Sequence, residues 1–100
     1  MIYVTQLIYI KPGQENAFDK FEEVAIPLIT KYKGTLLWRI RPDIAAFIEG
    51  EDKPPYEIHL VSFPDESDFE AFLKNPERAS LLPLKEAAVE RISMIKGQAL

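Results

Sequence analysis

The sequence predicts an α+β fold of the ferredoxin-like type, in which two helical regions cover one face of a four-stranded antiparallel sheet. Three observations support this prediction. Apolar segments of strand length lie near both ends of the chain. Two other segments have apolar residues at intervals of three and four, which is typical of amphipathic helices. Between those helical segments lie two more strand-like segments, so the order of elements is βαββαβ.

The first strand is predicted from Ile2 to Ile10, where nearly every residue is apolar or favours β-structure. The dipeptide Pro12-Gly13 ends this strand, and a helix follows. The apolar side of that helix carries Phe18, Phe21, Ala25, Leu28 and Tyr32. The acidic pair Glu22-Glu23 is expected on the solvated side, and Gly34 is the expected C-terminal stop.

The second strand is predicted over residues 35–41. Simple alternation gives it an apolar face and a basic face, with Leu36, Trp38 and Ile40 on the first and Arg39 and Arg41 on the second. The segment from Pro42 to Pro55 follows, and it is longer than an ordinary hairpin loop. Because it contains the apolar run 44–48, it could be a strand extension, a lid or a dimer arm.

The third strand is predicted from Tyr56 to Phe63 and contains His59, the only histidine of the chain. An acidic segment after this strand begins the second helical region, because carboxylates favour a helix N-terminus. A further helical piece is predicted to start near Pro83. Residues 92–95 are predicted to form the final strand.

The first and third predicted strands are apolar on both sides, so neither face of the sheet is expected to meet water. Helices cover only one face. A second copy of the chain, related by two-fold symmetry, would cover the other face, and the prediction is a homodimer with two sheets face to face. Residues 1–100 are expected to form a single domain, because a chain of this length closes one apolar core.

Composition and charge exclude several classes of function. The net charge of −4 and the sequence pI near 5.0 oppose binding to nucleic acid. The chain has no cysteine and a single histidine, so no disulfide, metal site or other cofactor is expected. Neither a signal peptide nor an apolar run long enough to cross a bilayer is visible, so a cytoplasmic protein without a membrane partner is expected.

Three stretches of the chain carry a family resemblance. They are residues 2–14 (IYVTQLIYIKPGQ), the turn Phe63-Pro64-Asp65 into the second helical region, and the closing Ile95-Lys96-Gly97. These stretches resemble the dimeric α/β-barrel superfamily, and more narrowly its small branch of unknown function related to the antibiotic-biosynthesis monooxygenases. The resemblance implies a ferredoxin-like fold and a barrel-like dimer. Members of the superfamily include cofactor-free oxygenases, isomerases and haem-binding proteins, so the resemblance implies no single activity.

His59 is the leading candidate for a catalytic acid or base, because histidine is the side chain that titrates near neutral pH without perturbation. Its alternation with Phe63 places it in the space between the sheet and the helices, where ligands often lie in the superfamily that the chain resembles. The alternative is a half-buried structural histidine that bonds to a neighbouring strand or to a tyrosine.

Four further residues are candidates for ligand binding: Arg39, Arg41, Trp38 and Tyr56. Two arginines on one strand face need a carboxylate or an anionic ligand to offset their desolvation. Their alternative partners within the chain are Glu57, Asp43 and Glu49. Aromatic side chains on the strands of a small barrel also serve the core or the dimer interface.

These candidates leave three functions open. The first is a site for a small anionic or aromatic molecule, with His59 as acid or base and Arg39 binding an anionic or enolic oxygen. The second, which the resemblance implies, is a cofactor-independent monooxygenase or isomerase. Such oxygenases tend to place asparagine around the substrate, and here only Asn16 and Asn75 occur, both outside the predicted strands. The third is a non-catalytic dimeric accessory protein in which these side chains only satisfy one another.

Overall fold

The structure, a computed structural model, describes residues 1–100. Its strands are β1 (Ile2–Ile10), β2 (Thr35–Ile40), β3 (Glu57–Phe63) and β4 (Val89–Gln98). Its helices are α1 (Glu15–Lys31), α2 (Glu66–Leu73), α3 (Pro76–Ser80) and α4 (Leu82–Ala88). The strands form one antiparallel sheet in the order β2-β3-β1-β4. The predicted ferredoxin-like fold is confirmed. None of the helices combines the length and apolar character needed to cross a membrane.

The helices lie on one face of the sheet, which we call the covered face, and the core fills the space between. The larger core cluster comprises Ile2, Val4, Leu28, Ile29, Val61, Phe63, Phe69 and Phe72. A smaller cluster joins Ile8, Phe18 and Ala88. Alternate residues of β1 and β3 point toward the helices. Between the two clusters, this alternation places the polar residues Gln6 and His59, which are directly opposite each other on β1 and β3.

The end of α1 explains why residue 34 is glycine. Lys33 adopts the left-handed conformation, with φ at 68°. The N–H of Gly34 donates to the carbonyl of Ile29 at 2.8 Å, as in a Schellman motif. Glycine is required for close packing rather than for a left-handed backbone, because a Cβ at this position would lie 2.6 Å from both Ile29 Cγ2 and Phe63 Cε1.

Strand β2 departs from simple alternation. Leu36 pairs with Val61, whereas Trp38 pairs with Leu60, so the register shifts between them. Leu36 packs against the core, and Trp38 points to the opposite face of the sheet. The prediction that both side chains lie on one face is wrong, because a β-bulge adds a residue that strict alternation does not count.

Side-chain caps divide the second helical region into short helices. Asp65 Oδ1 accepts a hydrogen bond from the backbone N–H three residues later at 3.1 Å and begins α2. Asn75 Oδ1 accepts one from the N–H of Arg78 at 2.9 Å and begins α3. Helix α4 has Pro83 in its first turn, close to the predicted start. Strand β4 extends well beyond the predicted residues 92–95, because it pairs with β1 along its whole length.

The segment 42–55 crosses to the edge of the sheet formed by β4. It contains a short 3-10 turn, Ile44–Ala46, and no strand, so a strand extension is excluded. Asp52 Oδ1 accepts a hydrogen bond from Arg91 Nη2 at 2.6 Å, which ties the segment to β4. Its apolar side chains, Ile44, Phe47 and Ile48, remain exposed. That this segment acts as a lid or as a dimer arm stays a prediction.

The second face of the sheet carries no helix, and we call it the open face. Its apolar side chains come from all four strands: Leu7, Trp38, Ile40, Ile58, Leu60 and Ile95. Trp38 is 59% exposed and Ile95 is 61% exposed. An antiparallel sheet that meets water on one face normally carries polar residues there. The open face therefore has the composition of a buried surface.

Candidate functional site

A group of charged side chains surrounds Glu57, which is fully buried at 0% exposure. Its Oε2 accepts hydrogen bonds from Arg39 Nε at 2.9 Å and from His59 Nε2. Its Oε1 accepts one from Arg41 Nε at 2.9 Å. Arg41 Nη2 also donates to Asp19 Oδ1 at 2.6 Å. We call these five residues the Glu57 cluster.

Strand register brings the Glu57 cluster together. Glu57 and His59 are two residues apart on β3, so both point to the covered face. Arg39 lies directly opposite His59 on β2. Arg41 follows the end of β2, and Asp19 reaches the arginines from α1. The cluster therefore joins the outer strand, the strand next to it and the long helix.

The charge on Glu57 fixes the tautomer of His59. Burial alone raises the pKa of the Glu57 carboxyl, but hydrogen bonds from His59, Arg39 and Arg41 lower it to about 2. At neutral pH the ionised carboxylate only accepts hydrogen bonds, so Nε2 of His59 carries a proton. In the neutral imidazole, Nδ1 then has the free lone pair. The imidazole makes no other hydrogen bond within the chain.

The structure brings together most of the residues that the sequence singled out. Tyr56 packs edge-on against Phe18, with ring centroids 5.9 Å apart, and the guanidinium of Arg41 lies 4.8 Å from its ring centroid. Arg39, Arg41, Tyr56 and His59 therefore form one neighbourhood. Trp38 lies apart from it, on the open face. Of the three carboxylates predicted as partners of the arginines, the structure uses Glu57.

Beside His59, a cavity of about 40 Å³ lies between the sheet and the helices. Its apolar lining comprises Val4, Phe21, Ala25, Ile29, Val61, Phe63, Phe69 and Phe72. Four polar side chains also line it: Gln6, Glu22, His59 and Arg78. Glu57 does not line the cavity, so the imidazole separates this carboxylate from it. The volume matches a few water molecules or a polar group of similar size.

Glu22 corrects one expectation from the sequence. It is only 8% exposed, and none of the hydrogen bonds or ion pairs within the chain involves it. Burial raises the pKa of its carboxyl above the ordinary value. Its position along α1 is the signal that was missed, because it lies four residues after Phe18 and three before Ala25, both buried. Only the neighbouring Glu23 meets the solvent.

Arg78 is the second polar residue that sequence reasoning missed. It is 8% exposed, and its buried Nε has no hydrogen-bond partner. Its Nη1 donates to the carbonyl of Leu73 at 3.5 Å, which is the outer limit for a hydrogen bond. The guanidinium carbon lies 5.3 Å from the ring centroid of Phe72 and 5.8 Å from that of Phe21. Because α3 has only five residues, it shows no periodicity that would reveal a buried side.

Metal coordination finds no support in this arrangement. The chain has no group of three or more histidine and acidic side chains close enough to hold a metal ion. In the Glu57 cluster, the carboxylate oxygens are already occupied by hydrogen bonds from cationic and imidazole donors. What the site offers chemically is an oriented imidazole, a buried carboxyl group and a buried guanidinium beside one small cavity.

The fold, with helices on one face of a four-stranded antiparallel sheet, defines a ferredoxin-like α+β protein. Within that class, residues 5–98 match the family model described as "Domain of unknown function (DUF1330)". The chain belongs to this family. A comparison with curated protein sequences finds no match.

Solved structures share the fold at low sequence identity. A protein of unknown function from Rhodopseudomonas palustris has a TM-score of 0.83 at 17% identity, covering 99% of this chain and 82% of that one. An uncharacterised NIPSNAP domain protein from Burkholderia xenovorans has a TM-score of 0.73 at 15% identity, covering 100% and 95%. A protein provisionally described as an antibiotic biosynthesis monooxygenase, from Bacteroides thetaiotaomicron, has a TM-score of 0.72 at 14% identity, covering 100% and 89%. The similarity confirms the ferredoxin-like fold that the sequence predicted.

Proposed function

We propose that this protein is a homodimer that binds a small molecule in the cavity between sheet and helices, with His59 transferring a proton to or from it. The observation that carries this proposal is the position of the imidazole between the buried carboxylate of Glu57 and the cavity. A carboxylate that fixes the proton on one ring nitrogen leaves the other nitrogen available as a base. The protein's location in the cytoplasm remains a prediction from the sequence.

The other members of the Glu57 cluster have supporting roles in this proposal. Arg39 and Arg41 hold the carboxylate of Glu57 through their Nε atoms, and Asp19 in turn holds the arginines. Neither arginine lines the cavity. We assign them to positioning Glu57 and thereby His59. Direct ligand contacts by Arg39, Arg41, Tyr56 or Trp38 remain predictions from the sequence.

The proposal is tested by a thermal-shift screen of short carboxylic and 2-oxo acids, whose size suits the cavity, against the wild type, His59→Ala and the exposed control Glu23→Gln. We expect ligands that raise the melting temperature of the wild type and the control but not that of His59→Ala. For a ligand with an acidic C–H bond, NMR in D₂O would follow exchange of that hydrogen. Loss of His59 should slow exchange by about a hundredfold, which is typical for a catalytic acid or base. A screen without hits, or hits indifferent to His59, would refute the site.

Enzymatic and non-catalytic forms of this proposal differ in what the Glu57 cluster is for. The mutual pairing of its charges supports a non-catalytic accessory protein, in which the cluster only holds β2, β3 and α1 together. Both forms predict that Arg39→Ala lowers the melting temperature. Only the enzymatic form predicts hydrogen exchange that depends on His59. A cofactor-independent isomerase or monooxygenase is the enzymatic form implied by the family resemblance, and oxygen uptake separates those two activities.

The homodimer is supported by the apolar open face and by the shape of the chain. The Cα atoms span 36 × 36 × 16 Å, so the chain is a slab with one broad face left without helices. Such a face is large enough for the roughly 800 Å² per partner of an ordinary stable interface. Two copies related by a two-fold axis would bury each other's open face.

Light scattering after gel filtration tests this arrangement. We expect a mass of twice 11.5 kDa at micromolar concentration. Trp38→Glu should yield monomers, because it places a charge on the open face that the two copies would bury. Ile48→Glu is the comparison, since Ile48 is 95% exposed on the segment 42–55 rather than on the open face. It should remain a dimer if the open face forms the interface, and monomers would support this segment as a dimer arm. A monomeric wild type would refute the dimer, and a dimeric Trp38→Glu would move the interface elsewhere.

A further inference from the structure

We propose that Arg78 binds the carboxylate group of a short organic acid in the cavity, with the buried Nε–H as the principal donor. This inference rests on the proposed function, since it takes the cavity as the ligand site and names the ligand class. It concerns a residue outside the Glu57 cluster and outside every candidate that the sequence suggested. Three features of the structure support it: the missing partner of Arg78, the packing of its guanidinium against aromatic rings, and the size of the cavity.

The buried Nε of Arg78 has no hydrogen-bond partner. A buried guanidinium ordinarily forms an ion pair, because transfer from water without compensation is unfavourable. Arg78 has no carboxylate within salt-bridge distance, its buried Nε has no acceptor, and its one hydrogen bond is a long contact with Leu73. By contrast, Arg39 and Arg41 each bond to Glu57 through Nε. A ligand acceptor would supply what the chain itself does not.

Aromatic packing holds this donor in place. The guanidinium lies near the rings of Phe72 and Phe21, at centroid distances of 5.3 Å and 5.8 Å, and both rings line the cavity. Stacking on aromatic rings orients the planar guanidinium without using its N–H groups. The side chain is therefore pre-organised, which lowers the entropy lost when a ligand binds.

The surrounding charges favour an anion. Lys85 lies 6.0 Å from the ring centroid of Phe21, so a second cation stands near Arg78. Glu22 is the acidic group on the cavity wall, and burial raises the pKa of its carboxyl, which reduces its repulsion of an anionic ligand. In its protonated form the Glu22 carboxyl is also a hydrogen-bond donor. His59 and Gln6 complete the polar wall for a second polar group of the ligand.

The cavity size selects the class of anion. A volume of about 40 Å³ accommodates a group the size of a carboxylate, whereas sites for drug-sized ligands are roughly ten times larger. The mostly aromatic and aliphatic lining suits the hydrocarbon part of a short acid better than a strongly hydrated phosphate. Recognition of a carboxylate by the planar guanidinium also explains why arginine rather than lysine occupies this position.

The experiment compares propionate with propionamide, its uncharged isostere, by NMR titration of the complete protein. The variants are Arg78→Met, Arg78→Lys and the exposed control Arg91→Met, whose arginine pairs with Asp52 outside the cavity. We expect the wild type and Arg91→Met to bind propionate at least tenfold more tightly than propionamide. Arg78→Met should abolish this preference while retaining propionamide binding, and Arg78→Lys should reduce it, because lysine lacks the Nε–H donor.

Each outcome decides between the two proposals. If both compounds shift the cavity residues of the wild type with equal affinity, the carboxylate assignment fails and the proposed ligand site stands. If Arg78→Met keeps the preference for propionate, another residue binds the carboxylate and the inference is wrong. If neither compound perturbs the cavity residues, both the inference and the proposed site fail. Should Arg78→Met not fold, the comparison of Arg78→Lys with the wild type decides by the same criterion.

Discussion

Two groups of buried charged side chains lie between the same sheet and its helices, and they differ in how many hydrogen bonds they make within the chain. In the Glu57 cluster, the buried carboxylate accepts hydrogen bonds from two arginines and a histidine. In the cavity, Glu22 and Arg78 are each 8% exposed, yet Glu22 makes no hydrogen bond and the Nε of Arg78 has none. The same residue types are therefore compensated at one place and left uncompensated a short distance away.

The pKa values of the two carboxyls express this difference. Burial raises the pKa of both, but the donors around Glu57 overcome burial and lower its pKa to about 2. Glu22 has no such donors, and burial dominates, so its pKa is raised. Burial alone thus does not decide whether a charge stabilises the fold. Removing a charge from the Glu57 cluster is expected to destabilise the folded protein, whereas removing a charge from the cavity is expected to stabilise it.

The largest effect is expected for Glu57→Gln. The substitution leaves Arg39 and Arg41 without an anionic partner and places an amide donor against other donors, so the free energy of unfolding should fall by about 3 kcal/mol. Urea titration measures the change. Glu49→Gln, on the exposed loop, is the control and should change stability by less than about 0.5 kcal/mol. Equal stability of Glu57→Gln and the wild type would mean that the cluster contributes no more than the cavity charges do.

The second effect is a loss of stability in acid that requires Glu57. Because the pKa of Glu57 is lower in the folded protein than in the unfolded chain, its contribution is complete above the ordinary glutamate pKa and is lost as pH falls toward about 2. We expect a decrease of about 2 kcal/mol between about pH 5 and pH 2 that is absent from Glu57→Gln. Urea titrations at several pH values follow it. The same acid slope in both proteins would assign the effect to other carboxylates.

The sequence predicted the Glu57 cluster better than the cavity, for a physical reason. Strand alternation has a short period, so it placed Arg39 with Arg41, and Glu57 with His59, from their spacing alone. The sequence offered three carboxylates as partners of the arginines, and only the tertiary structure shows that Glu57 is the one they bond to. The cavity depends on longer-range packing. Glu22 is buried only because helices and sheet enclose that side of α1, and Arg78 only because α3 folds back onto α1.

The bulge in β2 shows a second limit of sequence reasoning. The extra residue between Leu36 and Trp38 shifts the alternation, so every side chain after the bulge lies on the face opposite to the one expected from Leu36. No glycine or proline marks its position in the sequence. The prediction therefore grouped Leu36 with Trp38, although its grouping of Arg39 with Arg41 was correct, since both bond to Glu57.

A smaller effect of opposite sign is expected for Arg78→Met. Methionine keeps the contacts with Phe72 and Phe21 and removes a buried charge that lacks a full set of partners. The free energy of unfolding of the ligand-free protein should therefore rise by about 1 kcal/mol. The control Arg91→Met breaks an exposed pair with Asp52 and should lose at most about 0.5 kcal/mol. Chemical denaturation of both variants measures these changes. A loss of stability as large as that of Glu57→Gln would show that Arg78 is a structural residue. The cavity charges would then stabilise the fold as the Glu57 cluster does, contrary to the difference proposed between them.

The smallest effect is expected for Glu22→Gln, and it depends on pH. Because burial raises the pKa of Glu22 in the folded protein, the folded state holds its proton more tightly than the unfolded chain does. Stability is therefore greatest below the ordinary glutamate pKa and falls as pH rises through the raised value. Glutamine does not titrate, so the variant lacks this decrease in stability. At neutral pH we therefore expect its free energy of unfolding to exceed that of the wild type by about 0.5 kcal/mol, and this difference should disappear in acid. The exposed neighbour supplies the control, Glu23→Gln, which should show neither effect. Combining Glu22→Gln with Arg78→Met should raise the free energy of unfolding by more than the sum of the single changes, because each single change also removes the attraction between the two charges, which the double variant loses only once. Strict additivity would mean that the two residues do not interact, and the cavity would then contain two independent charges rather than a pair.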